Sequence, residues 1–277
     1  VTWNASILKS VTSQRLKVHI RIQPCLAALL ACGVALQAAD KKDKPPAADK
    51  SVDSGSFGVF IRGQRVVTET FSVQQENGVS TVKSRLQEVG GSGASGQTGA
   101  GSAAANSAAG QSSNLQMTGG GELVRYDWSD GSGSLLVVPK NDFLLEKITT
   151  GAPPKTAEQP FLMPSTSVIL DNNFFVHREV LTWRYLASDC KTESGDLKCQ
   201  QAPAEFGVLV PQDRNSLRVR IELVGREKVT IHGTERDLMR LNLKGEAFSW
   251  ALWVDEKDKF KLVRVVIADD NTEVVRD

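Results

Sequence analysis

The strongest constraint in this chain is a strict two-residue alternation in its last third. Leu217, Val219, Ile221 and Leu223 alternate with Arg218, Arg220 and Glu222, and Met239, Leu241 and Leu243 alternate with Arg240, Asn242 and Lys244. Successive side chains of a strand point to opposite faces, so this period gives each strand one apolar and one wetted face. Phe206, Val208 and Val210 precede these runs, and Phe248, Trp250, Leu252 and Val254 follow on one face of AFSWALWVD, before FKLVRVVIADD. The turns near Gly225, Gly245 and DEKDK are too short for a parallel crossover, which takes about a dozen residues or more. The strands therefore pair antiparallel, as a meander. Long open edges invite aggregation, so such a sheet curls into a barrel or half-barrel, or takes a helix as cover.

Similar signals recur earlier in the chain. Val67, Glu69, Phe71 and Val73 share a strand face in RVVTETFSV, Asn77-Gly78 is a hairpin turn into VSTVKSRLQEV, and Val124, Tyr126 and Trp128 fall on one face. SLLVVPKNDFLLEKI is less regular, and a loop punctuated by Pro153, Pro154, Pro160 and Pro164 follows it. One helix is expected over residues 171–188, with Asp171 or Asn172 as N-cap. Phe174, Phe175, Val176, Val180, Leu181, Trp183 and Leu186 give it a wide apolar surface. A helix this apolar has to be covered, most simply by a sheet. The expected fold is mainly β: a curved antiparallel sheet, as a half-barrel or open barrel over residues 55–277, with one α-helix packed on its concave side.

Composition divides the remainder. Residues 1–39 hold no Asp or Glu but carry Lys9, Arg15, Lys17 and Arg21 ahead of an apolar run from Cys25 to Leu36. This is the pattern of a signal peptide, and the run is too short to span a bilayer. Two processing sites fit, a cleavage near Ala38 or Ala39 and a lipobox at Leu29-Leu30-Ala31-Cys32 that would leave Cys32 lipidated. Residues 40–54, rich in Lys, Asp, Pro and Ala, read as a disordered linker. Residues 90–114 contain only Gly, Ser, Ala, Gln, Thr and Asn and read as a low-complexity insertion between two strands. The expected destination is the periplasm or envelope, with contact to a membrane only through a lipid anchor.

Removing residues 1–39 takes four basic and no acidic residues from totals of 33 and 32, leaving a net charge of −3. No surplus of Lys and Arg then exists to displace phosphate counterions, so nucleic acid is not an expected partner. Cys25 and Cys32 leave with the same segment. The remaining pair, Cys190 and Cys199, is expected to oxidise in an exported compartment, closing a loop worth about 2.5 to 3 kcal/mol.

Catalytic and metal signatures are sparse. No G-x-S-x-G elbow occurs in the Gly/Ser-rich stretches, and beyond residue 39 the only histidines are His177 and His232, without H-E-x-x-H. His177 falls within the apolar helix and His232 before Gly233 at a turn, so packing and turn roles are expected and no metal or cofactor is. Asp127 and Asp130 flank Trp128, an arrangement suited to sugar contact and to a hydrolytic carboxylate pair; beside GSGS they read instead as solvated turn residues. Trp250 and Trp253 lie on opposite faces of one strand.

GSFGVFIRGQRVVTETFSV and FSWALWVDEKDKFKLVRVVI, with a helix against the sheet, are similar to exported bacterial proteins of unassigned function whose half-barrel resembles that of periplasmic lipoprotein carriers. ILDNNFFVHREVLTWRY and VLVPQ look like segments of uncharacterised acidobacterial envelope proteins. The resemblance spans residues 55–89 and 165–277 and rests on strand-and-turn patterns. It implies a curved antiparallel sheet, an apolar concavity and no catalytic residues. The insertion at 90–114 and the Cys190–Cys199 loop depart from it. The functional expectation is an exported, non-catalytic protein that holds a lipid or lipoprotein acyl chain between sheet and helix. Phe174, Phe175, Trp183, Trp250 and Leu252 are the lining candidates. The alternative is an envelope structural or protein-interaction module with a filled core and no ligand.

Overall fold

Asn77 and Gly78 sit at φ 49° and 79°, the left-handed region that a two-residue hairpin turn demands and that these residue types tolerate. The same device recurs at Arg62-Gly63 and His232-Gly233. It lets the chain reverse without a crossover. The computed structural model describes residues 50–89, 110–193 and 196–277.

A first meander comprises β1 (Lys50–Ile61), β2 (Gln64–Glu76), β3 (Val79–Glu88), β4 (Ser112–Thr118), β5 (Leu123–Ser129), β6 (Gly133–Lys140), β7 (Phe143–Thr150) and β8 (Lys155–Phe161). The short β9 (Val168–Ile169) leads into α1 (Val176–Asp189), and β10 (Cys190–Glu193) and β11 (Asp196–Cys199) form a separate hairpin. A second meander comprises β12 (Ala204–Val210), β13 (Asn215–Ile231), β14 (Thr234–Lys244), β15 (Ser249–Asp255), β16 (Lys261–Ile267) and β17 (Thr272–Arg276). β1 and β17 pair antiparallel from Phe57↔Arg276 to Ile61↔Thr272. That pairing fuses the meanders into one 15-stranded sheet with β8 and β9 as its edges. The sole parallel pair among the described residues is β9 with β12. The sheet curves and stays open without closing into a barrel, as the sequence predicts.

One face of this sheet and α1 share a single core. Val176, Leu181 and Tyr185 of the helix pack with Phe57, Val82, Leu115, Leu241, Leu252 and Val265 of the strands. The opposite face carries a smaller cluster of Val229, Ile231, Leu238, Trp253, Val263 and Val275. Trp250 packs against the main core and Trp253 belongs to this second one, so the two indoles do face opposite ways. Arg240 and Arg264 cover the Trp253 ring at 5.6 and 5.0 Å from its centre, and the indole donates to Glu227 at 3.1 Å. The arginines thus shield apolar area that would otherwise face water.

Several boundaries differ from the sequence expectation, each for a contact that local pattern does not contain. β1 begins at Lys50, inside the expected 40–54 linker, because Asp53 is buried and ion-paired with Arg276. β4 takes up Ser112, Ser113 and Asn114 from the expected 90–114 insertion by pairing with β3; residues 90–109 lie outside the described residues. The less regular stretch is the β6–β7 hairpin, turning at Asn141 (φ 54°). The proline loop contains β8, an edge strand, where the missing amide of Pro160 is tolerated. The signal peptide, its cleavage sites and Cys32 also lie outside the described residues. Among the described residues no helix is long and apolar enough to cross a membrane.

Candidate functional site

The helix is expected from Asp171 but starts at Val176, with Phe175 as N-cap and no side-chain cap from its own segment. Its free amides are satisfied from across the chain. Glu69 of β2 accepts from Phe175 N at 2.6 Å and from Val176 N at 3.3 Å, and Ser84 Oγ donates to the same carboxylate at 2.6 Å. A carboxylate beneath a helix N-terminus meets both orphan amides and the positive end of the helix dipole. Burial nevertheless dominates its titration: the Glu69 pKa is pushed up to about 7, against the pull of Ser84, the two amides and Arg178.

Neither expected cap, Asp171 or Asn172, caps the helix: Asn172 donates to Asp213 at 2.6 Å, and Asp171 closes a turn by accepting from Asn173 N at 2.8 Å. Tyr126 and Gln212 also donate to its carboxylate. Arg178, almost wholly buried, donates to the carbonyls of Asp171 and Phe174, the latter at 2.7 Å, and lies 5.0 and 4.8 Å from the Phe175 and Trp250 ring centres. Burial lowers its pKa to about 10, opposed by Asp171, Glu69 and Tyr126. His177 accepts from Asp171 N through Nδ1 at 3.3 Å, and burial together with Arg178 depresses it to about 3. It is therefore a neutral packing residue, the role expected of it.

One turn further on, Glu179 accepts from Leu262 N at 3.2 Å and lies 3.6 Å from Arg276. Burial raises its pKa to about 9, with Arg276 opposing and Asp53 adding to the rise. Arg276 and Lys261 both pair with Asp53. These two polar knots tie α1 to β2 and β3 and to the neighbouring β1, β17 and β16, in the middle of the sheet. They position the helix.

Space exists beside the other half of α1. A cleft of about 240 Å³ is lined on the helix by Val180, Trp183, Arg184 and Ala187 and on the sheet by Val52, Val73, Val82 and Met117. Gln75, Ser80 and Thr118, with Gly119, Gly120 and Gly121 of the β4–β5 turn, complete its wall. Trp183 donates from Nε1 to the Phe260 carbonyl at 3.0 Å, which fixes the indole.

Of the five lining candidates, Trp183 is the one that borders this cleft. Phe174, Phe175 and Leu252 are buried in the filled core, and Trp250 lies between Arg178 and Phe248. Val52, Val73, Val82, Met117 and Ala187 were not singled out by the sequence, since nothing local distinguishes a valine at a cleft from one in a core.

The remaining candidates resolve individually. Cys190 and Cys199 are directly opposite in the β10–β11 hairpin and disulfide-bonded. Asp127 is clamped by Arg125 at 2.5 and 2.6 Å, whereas Asp130 caps its turn by accepting from Ser132 N, Ser132 Oγ and Gly133 N at 2.8–2.9 Å. The two carboxylates do different structural jobs and do not converge. A larger cleft of about 660 Å³ borders Asp127, and most of the residues lining it, such as Ser112, Ser129, Arg125 and Lys147, carry hydroxyl or charged groups. His232 contacts the Arg276 carbonyl at 2.9 Å. Among the described residues, no three His, Cys, Asp or Glu side chains gather in a metal-sized group. No protein-family model, curated protein or solved structure matches the chain.

Proposed function

We propose that this protein is an exported, non-catalytic binding module that holds the apolar part of a lipid-like ligand in the cleft between α1 and β1–β4. The observation that carries the reading is the cleft itself: apolar side chains border open space along one half of a helix whose other half is packed solid. Apolar lining with a few polar groups at one end is the usual make-up of a small-ligand site. Export is supported by the Cys190–Cys199 disulfide, a bond that persists in oxidising compartments. The resemblance to half-barrel lipoprotein carriers belongs with this proposal. Protein purified without detergent is expected to yield lipid to mass spectrometry of its organic extract. An extract without lipid, together with no uptake of a fluorescent fatty acid, would overturn the reading.

The filled core around Phe174, Phe175 and Leu252 favours a second reading, an envelope structural or interaction module. Under it the cleft is a packing irregularity, and filling it by substitution leaves function unchanged.

A further inference from the structure

Beside its apolar side chains and the neutral Gln75, Ser80 and Thr118, the cleft is bordered by one charge, that of Arg184. Its Nη1 donates to the Gly121 carbonyl at 3.2 Å, and its guanidinium lies 5.7 Å from the Phe206 ring centre. Gly121 stands at φ 81°, a left-handed conformation that glycine adopts without strain and that shapes the turn whose carbonyl Arg184 meets. The side chain is half-buried; Glu122 acts on it through space, but among the described residues it has no ion pair within 4.0 Å. Arginine keeps its charge in such surroundings and presents several donors in a planar fork. A partly desolvated guanidinium with donors to spare binds a carboxylate through paired hydrogen bonds, the strongest of the common polar contacts.

Resting on the reading of the cleft as a ligand site, we infer that its ligand is a single-chain amphiphile with a carboxylate head, a fatty-acid type of molecule, whose head pairs with Arg184 and whose tail lies against Trp183, Val73 and Val82. The cleft, about 240 Å³, is smaller than the roughly 300–1,000 Å³ of sites that enclose a drug-sized ligand. It therefore holds the part of the tail next to the head, and a longer chain extends beyond it.

The test compares sodium decanoate with 1-decanol, which share a tail and differ in head charge, by following tryptophan fluorescence of the full chain near neutral pH. Trp183→Phe identifies the reporting indole, Arg184→Gln removes the charge, and Ala187→Phe fills the cleft from an exposed helix position. Decanoate is expected to bind at least about tenfold more tightly than decanol, in line with a charge-assisted pair. Arg184→Gln should bring decanoate down to the level of decanol in the same variant, and Ala187→Phe should abolish both. Along a carboxylate series from short to long chains, affinity should rise about fourfold per methylene and then level off once the cleft is full. Equal binding of the two probes, or a preference that survives Arg184→Gln, overturns the carboxylate head and leaves the cleft as a ligand site. Absence of binding by either probe, or binding indifferent to Ala187→Phe, overturns the cleft reading and this inference with it.

Discussion

Replacing Glu69 with glutamine removes a fully buried negative charge while keeping one acceptor oxygen for the Phe175 and Val176 amides, which donate to different oxygens of the carboxylate. Burial raises the Glu69 pKa from 4.5 to about 7, so the folded protein retains a proton over a range in which the unfolded chain has already lost it. The unfolded state then binds fewer protons than the folded state, and stability falls as pH rises through that window. The contribution of Glu69 is present in full below about pH 4.5, declines towards pH 7 and is constant above it. At about 1.4 kcal/mol per pH unit, a rise of this size amounts to about 3 kcal/mol. Glutamine does not titrate, so the wild-type stability minus that of Glu69→Gln should fall by about 3 kcal/mol between roughly pH 4 and pH 8. Urea unfolding of both proteins at several pH values measures this difference. Glu146, raised to about 7, and Glu179, raised to about 9, titrate alike in both proteins and cancel from it. Parallel stability curves would refute the placement of an ionisable carboxyl beneath the helix terminus. Glu69→Ala, in contrast, strips the acceptor from two amides and the Ser84 hydroxyl and should destabilise at every pH, by about 1–3 kcal/mol for each group left unpaired.

Phe174→Ala opens a void in a filled core and should cost about 3–5 kcal/mol, read as a lowered urea midpoint with unchanged slope. Arg276→Ala leaves the buried Asp53 with Lys261 as its remaining cation and should cost about 1–3 kcal/mol; a loss below 1 kcal/mol on thermal or urea unfolding would mean that water reaches this cluster. Replacing Cys190 and Cys199 together with serine should lower stability by about 2.5–3 kcal/mol with far-ultraviolet circular dichroism preserved, because the β10–β11 hairpin stands apart from the main sheet.

The strands of the second meander were legible because each announces itself locally: Leu217, Val219 and Ile221 alternate against charges, and short turns follow. The helix was legible too, although its first turn was not, and neither were the strands hidden in the irregular and proline-marked stretches. At the site, sequence singled out Trp183 but neither Arg184 nor the valines opposite, whose roles exist only once β1–β4 lie against α1. Glu69 on an otherwise apolar strand face was a visible oddity, yet nothing near it in the chain named the amides it would meet 106 residues away. By itself the sequence determined what each segment becomes, since backbone period, turn geometry and apolar content act over a few residues. Tertiary structure alone decided that β1 joins β17, that a remote glutamate caps the helix and that one side of that helix stays unfilled. Those outcomes depend on which distant surfaces meet, and burial, pairing and open space are properties of the meeting.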